Sequence, residues 1–259
     1  MLEQILQIVQ EAGDIARKYC GKINDSQVVF KGETDIVTIA DQEIENLLKH
    51  KLAKLDKTID FLGEEDDYGK PDDYERVFIC DPLDGTTSYR HGFPTHAVSI
   101  GLRENGSTTL GVVHLPYLNE TFYAIKGKGA FKDKKQIHVS ATQKLVHSLC
   151  GTGLGCVRAA IKPDNVPVIA NAFYKTQGVR ISGSAACDLC FVAEGKYDAY
   201  WEFLLKPWDY EAGRLIAREA GATVTDFNGG EVDDNVGQII ASNGILHKQI
   251  QQLILDTIG

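Results

Sequence analysis

Two carboxylates three positions apart, Asp81 and Asp84, close a hydrophobic run that begins at Val77 and continues Asp81-Pro82-Leu83-Asp84-Gly85-Thr86-Thr87-Ser88-Tyr89. Carboxylate oxygens are hard donors suited to a cation such as Mg²⁺, and backbone N–H groups at a helix start suit the oxygens of a phosphate. Pro82 biases Asp81 toward extended geometry and is expected to stop the strand ladder there. Gly85 permits a tight bend, and Thr86 or Thr87 is placed to cap a following helix. The segment predicts a strand end that carries two acids beside a helix N-terminus. The bland alternative is that Asp81 and Asp84 are a turn former and an N-cap, as Asp beside Pro and Gly often is.

Two further acidic segments bear on that choice. Phe61-Leu62-Gly63-Glu64-Glu65 is an apolar strand that ends in Gly and two acids, and Trp208-Asp209 opens a helix running through Ala212, Gly213, Leu215 and Ile216. Each places a carboxylate at the end of an element, where α/β folds gather ligands. Singly, Glu65, Asp66 and Asp67 read as a solvated acidic loop and Asp209 as an N-cap. Together, several carboxylates converging without neutralising partners are costly unless metal ions bind.

The elements that must position these groups follow from hydrophobic period. Leu2, Ile5, Leu6, Val9, Ala12 and Ala16 fall on one stripe of a helix over residues 2–19, and Ala40, Ile44, Leu47, Leu48, Leu52 and Leu55 mark a second. Short β-prone runs at 77–80, 97–102, 110–115 and 121–125, with turns at Asn105-Gly106 and Leu118-Asn119, predict a mainly antiparallel sheet. Beyond about residue 144, strands and helices alternate: strands at 145–150, 197–201 and 238–241, helices at 185–193 and 209–220, and a last helix from Ile245. No Pro/Gly/Ser linker separates the two textures. The expectation is one α/β unit over 1–259, with sub-regions roughly 1–143 and 144–259.

At 259 residues with 43% apolar and 24% charged side chains, the chain can bury a sizeable core, and disordered, collagenous and coiled-coil classes drop out. Acidic residues outnumber basic ones by 36 to 27, giving a net charge of −9 that repels rather than attracts nucleic acid. An acidic protein that binds a phosphate ester needs positive charge from elsewhere, and a divalent metal supplies it. No run is apolar enough to span a membrane and the N-terminus has no signal-peptide pattern, so a cytoplasmic protein is expected. The six cysteines are too sparse for a disulfide scaffold and are expected as free thiols.

With these residues in hand, the sequence resembles the inositol monophosphatase family, within the Mg²⁺-dependent, lithium-sensitive phosphatases that include fructose-1,6-bisphosphatases and bisphosphate nucleotidases. Gly63-Glu64-Glu65, the Asp81 to Thr87 segment, and Trp208-Asp209 with Ala212-Gly213 carry the likeness. Asp35-Ile36-Val37-Thr38, Ala40-Asp41 and Gly178-Val179-Arg180 to Gly183-Ser184-Ala185-Ala186 agree with it. The resemblance implies a layered αβαβα sandwich and a homodimer. It further implies that Glu64, Asp81, Asp84, Asp209 and the backbone carbonyl of Leu83 hold two or three Mg²⁺ ions.

Glu64 and Thr86, the latter oriented by Asp35, would position and activate the attacking water, with no phosphoenzyme. Gly85 and Thr86 would offer N–H groups to the phosphate, and Gly183, Ser184, Ala185 and Glu202 would line the pocket for the alcohol. Glu64, Leu83, Asp84 and Asp209 count as substrate contacts as well, and Lys31 matches a family lysine near the site. Thr87 after Asp-Gly-Thr fits the inositol monophosphatase form, while Ser88 and the stretch from Phe131 to Lys135 depart from it without touching a proposed ligand.

The expected activity is hydrolysis of inositol monophosphate to inositol and phosphate. The alternatives are a bisphosphate nucleotidase, a fructose-1,6-bisphosphatase, or a regulatory scaffold that binds RNA polymerase. Two motifs are read as bland. Cys187-x-x-Cys190 lies among Ala185, Ala186, Leu189, Phe191 and Val192 and reads as core. Gly151-Thr152-Gly153-Leu154-Gly155 lacks dinucleotide-loop spacing and reads as a loop facing the pocket.

Overall fold

Helix α1 (Leu2–Tyr19) buries Ile5, Ile8, Val9, Ala12 and Ala16, the stripe expected from the sequence, in a computed structural model that describes residues 1–32, 36–65 and 69–258. A short antiparallel pair, β1 (Val28–Phe30) and β2 (Ile36–Thr38), leads into α2 (Ile39–Leu55). The start of α2 is fixed by a capping box: Thr38 Oγ1 accepts the Ala40 N–H, and Asp41 Oδ2 accepts the Thr38 N–H at 2.8 Å.

Strands β3 (Asp60–Gly63) and β4 (Arg76–Asp84) follow, then the short helix α3 (Thr86–Arg90). Next come β5 (Ala97–Glu104), β6 (Ser107–Leu115), β7 (Glu120–Ile125), β8 (Ala130–Lys132) and β9 (Lys135–Gln136). Strands β3 to β9 lie in sequence order in one sheet of seven, parallel between β3 and β4 and antiparallel elsewhere.

The second sheet is built from β10 (Leu149–Thr152), β11 (Gly178–Arg180), β12 (Ala199–Glu202), β13 (Thr223–Thr225) and β14 (Ile239–Ser242), in the order β11-β10-β12-β14-β13. Helices α4 (Gly155–Arg158), α5 (Val166–Lys175), α6 (Ala185–Ala193), α7 (Pro207–Glu219) and α8 (His247–Ile258) connect and cover it.

Side-chain alternation along the strands sorts these elements into five layers. Phe78, Cys80, Val98, Ile100 and Val112 point from the larger sheet onto α1 and α2. Val113, Leu115, Phe122 and Ala124 point from its other face onto α6 and α7, which also receive Tyr200, Ile239 and Ala241 of the smaller sheet. Ala199, Trp201 and Ile240 face the opposite way, onto α5 and α8. The layered αβαβα sandwich is therefore present. No helix among the described residues is long and apolar enough to cross a membrane, and the six cysteines are unpaired.

Several local expectations need correction. Pro82 does not end the ladder: β4 runs on to Asp84, which pairs with Ala97 across a bulge between Asp81 and Asp84. A bulge spares the position that would need the N–H which proline lacks. The cap of α3 is Gly85 at φ +89°, not Thr86 or Thr87, so Thr86 is the first helical residue and its hydroxyl is released for other contacts. Helix α7 starts at Pro207, which moves Asp209 from N-cap to third residue. The strand expected at 145–150 begins only at Leu149, after a 3₁₀ turn over Leu145–His147, and the last helix begins at His247.

The middle helical layer approaches the larger sheet closely where both sides lack bulk. A Cβ on Gly111 would lie 2.7 Å from the Ala212 carbonyl oxygen and 3.0 Å from its Cα, backbone atoms of α7 that have no rotamer to yield. Gly111→Ala is expected to destabilise the protein by about 1–3 kcal/mol. Urea unfolding would measure this, and an unchanged midpoint would show that α7 moves freely on the sheet.

Candidate active site

The bulge at the end of β4 turns Asp81 and Asp84 to the same side, toward the N-terminal end of α7. There Asp81, Asp84 and Asp209 each offer a carboxylate oxygen within 4.8 Å of the other two. One oxygen of each is held from the backbone side. Asp81 Oδ1 accepts the Leu83 N–H at 2.8 Å, and Asp209 Oδ2 accepts the Lys206 N–H at 2.7 Å. Asp84 Oδ2 accepts both the Ser184 hydroxyl and the Ala186 N–H at 2.7 Å. These bonds fix the carboxylates in place, and among the described residues no Lys or Arg forms an ion pair with any of the three.

Electrostatics reflect the convergence. Burial, then the charges of Glu64, Asp84 and Asp209, raise the Asp81 pKa well above the ordinary carboxylate value. Asp209 is raised well above it by burial, then by Asp84 and Glu64. Asp84 is raised by burial despite the bonds from Ser184 and Ala186, and Glu64 by burial, then by Glu65. Such mutual repulsion marks a site built for a cation. An all-oxygen donor set with no His or Cys fits a hard divalent ion of the Mg²⁺, Mn²⁺ or Ca²⁺ kind. Glu64, beyond the end of β3, stands beside Asp81 but outside the three-carboxylate set.

A cavity of about 870 Å³ opens over the cluster, within the size range of small-molecule sites. Of the residues singled out from sequence, Lys31, Glu64, Asp81, Leu83, Asp84, Gly85, Thr86, Gly183, Ala185, Glu202 and Asp209 line it. So do Gly153, Leu154 and Gly155, as expected of that glycine loop. Ser184 does not: its side chain caps α6 by accepting the Cys187 N–H and donates to Asp84, so it stands behind a carboxylate rather than against the cavity. Lys31 is held by Glu65 at 2.8 Å. Glu202, on the opposite wall, accepts the Tyr200 hydroxyl at 2.5 Å, and burial pushes its pKa up to about 7.

Asp35 lies outside the described residues. The carboxylate that the Thr86 hydroxyl meets is Asp41, on the first turn of α2: Thr86 Oγ1 lies 3.1 Å from Asp41 Oδ1 and 3.1 Å from the Leu83 carbonyl oxygen. Asp41 is fully buried, its other oxygen takes both the N–H and the hydroxyl of Thr38, and burial raises its pKa to about 6. Sequence reading gave Asp41 no role. Its one local signal is the Thr38-x-x-Asp41 capping pattern, which accounts for one of its oxygens and hides the other.

Comparisons with known proteins give the chain's family and its fold relatives. The inositol monophosphatase family model matches residues 1–258. An inositol-1-monophosphatase of Mesorhizobium japonicum is 34% identical over 98% of this chain and 96% of its own. A Nus factor SuhB of Vibrio cholerae is 36% identical over 94% of this chain and 91% of its own. Among solved structures, the Thermotoga maritima IMPase superposes with a TM-score of 0.90 at 32% identity, covering 99% of this chain and 97% of that one.

Metal-free stability gives a direct test of the repulsion. A carboxyl group whose pKa is higher in the folded than in the unfolded chain contributes stability below about pH 4 and loses it as pH rises through the raised value. Asp81, Asp84 and Asp209 are all raised. The metal-free protein should therefore melt lower at pH 8 than at pH 5.5, with Mg²⁺ restoring the loss. Asp209→Asn, also metal-free, should melt about 2–4 °C above wild type at pH 8 and close to it at pH 5.5. Scanning calorimetry in EDTA reads both, and a variant no more stable at pH 8 would mean that the acids do not repel.

Proposed function

The chain belongs to the inositol monophosphatase family, and from that premise we propose that it is a Mg²⁺-dependent phosphoric monoester hydrolase acting on inositol monophosphates and related sugar phosphates. The observation that carries the reading is the meeting of Asp81, Asp84 and Asp209 within 4.8 Å at the floor of the cavity. In it, Glu64, Asp81, the Leu83 carbonyl, Asp84 and Asp209 would hold the ions. Bound there, the metal supplies Lewis-acid charge to the phosphoryl oxygens and lowers the pKa of water.

The chain's own groups do the rest. A Thr86 hydroxyl that donates to Asp41 has its proton committed and turns its lone pairs toward the cavity, where they receive a hydrogen bond from the attacking water and hold it in line. Leu83 and Asp84 line the phosphate end, where Gly85 and Thr86 would offer N–H groups to the phosphate oxygens. Gly183, Ala185 and Glu202 form the wall against the alcohol, and Ser184 serves that wall by holding Asp84. Asp41 thus takes the orienting role that the sequence reading gave to Asp35. Because no nucleophilic side chain is required, one displacement by water suffices. The reading includes a homodimer in the cytoplasm.

A second reading, a protein that acts in transcription without using its site, draws support from the relative named Nus factor SuhB. One variant separates the two. Asp84→Asn is expected to lower Mg²⁺-dependent phosphate release from inositol 1-phosphate at least 10³-fold with the fold retained. Cells that carry it with no change in phenotype would favour the transcriptional role. A substrate panel is expected to rank inositol 1-phosphate above fructose 1,6-bisphosphate and nucleotide bisphosphates, and LiCl is expected to inhibit. The reverse ranking would move the substrate, and full turnover at high lithium would move the chain toward less sensitive phosphatases.

Asp41 also sets a pH dependence. With a pKa of about 6, it accepts the Thr86 proton above that pH and loses the ability below it. At saturating Mg²⁺, kcat should rise between pH 5.5 and 7.5, and Asp41→Asn should flatten that limb. An unchanged limb in the variant would remove Asp41 from the reaction.

A further inference from the structure

Helix α2 presents two acids to the site, one turn apart. Asp41 reaches Thr86, beyond the end of β4, and Glu45 reaches the segment beyond the end of β3, where its Oε2 accepts the Glu65 N–H at 3.0 Å. Glu45 is 4% exposed, unlike a carboxylate on the solvent face of an amphipathic helix. Its approach needs a bare backbone opposite: a Cβ on Gly63 would lie 3.0 Å from both the carboxyl carbon and Oε1 of Glu45. Lys49, one turn further along α2, approaches Oε1 at 3.6 Å, and Lys31 holds the Glu65 side chain at 2.8 Å.

The peptide between Glu64 and Glu65 is thus gripped from α2, and Glu64 is the one proposed metal ligand that lies in neither a strand nor a helix, because β3 ends at Gly63. We propose that Glu45 is a positioning residue for Glu64: its carboxylate fixes the Glu65 N–H, and so the aim of the preceding side chain at the cation beside Asp81. This rests on the metal-dependent reading above and adds to it a residue that touches neither metal nor substrate. Groups that orient metal ligands typically change metal affinity by about 10–100-fold when altered.

Reach and charge can be separated. Glu45→Gln keeps an acceptor oxygen at the same distance and drops the charge, whereas Glu45→Asp keeps the charge and withdraws it by one methylene. Calorimetric titration of Mg²⁺ into the metal-free proteins is expected to show Glu45→Asp weakened about tenfold and Glu45→Gln within about threefold of wild type. Melting in EDTA monitors the fold, and phosphate release from inositol 1-phosphate at saturating Mg²⁺ should recover in Glu45→Gln. Equal affinity of Glu45→Asp and wild type would overturn the proposal. So would Glu45→Gln weakened as much as Glu45→Asp, or a Glu45→Asp that does not fold, since charge or general stability would then be its role. A wild-type protein that binds Mg²⁺ but releases no phosphate would instead sink the hydrolase reading and leave the affinity comparison standing.

Discussion

The structure depends on holding like charges together. Three carboxylates, one buried and two half-buried, converge at one point; loss of water presses all three toward the protonated state, and mutual repulsion adds to it at Asp81 and Asp209. A protein tolerates such a cluster only if rigid surroundings supply the cost, and the hydrogen bonds to Asp81, Asp84 and Asp209 come from backbone or from a short serine rather than from mobile cations. A lysine or arginine there would neutralise the charge and close the position to a metal. The absence of such a partner among the described residues sets the cluster apart from a salt-bridge network and leaves it open to a cation.

The five layers serve that constraint. The larger sheet delivers Asp81 and Asp84 from β4, the middle helical layer delivers Asp209 from α7 and the anchoring Ser184 and Ala186 at α6, and the smaller sheet delivers Glu202 from β12. Helix α2, on the outer face, carries Asp41 and Glu45 inward past the sheet edge. The cavity therefore lies where every layer but that of α5 and α8 contributes. The close contact of Gly111 with Ala212 holds α7, and with it Asp209, at a fixed height over the sheet.

Much of this was legible in the sequence, and the exceptions have physical reasons. The β-prone runs and the helical stripe of α1 located the elements, because burial on one face imposes a period, while their layering followed from the family resemblance. The pairing of Asp81 with Asp84 was visible because both acids lie within four residues, and Asp209 because a helix start follows Trp208. Glu45 was invisible: flanked by Ile44 and Leu48 in an amphipathic pattern, it reads as a solvent-facing acid until β3 is packed against α2. Asp41 was masked by a capping role that it also performs. Pro82 misled because a local rule about ladders was overridden by a bulge that needs no donor there.

The order in which the acids occur along the chain has a consequence for biosynthesis. Asp81 and Asp84 emerge from the ribosome early, but Asp209 and its supporting helix come only after β10, β11 and β12 of the smaller sheet. A nascent chain thus carries its first acids as ordinary solvated carboxylates, free of the crowding found in the finished molecule. The charge conflict arises only when α7 docks on the larger sheet, so a cation bound there would favour the docked arrangement over the separated one.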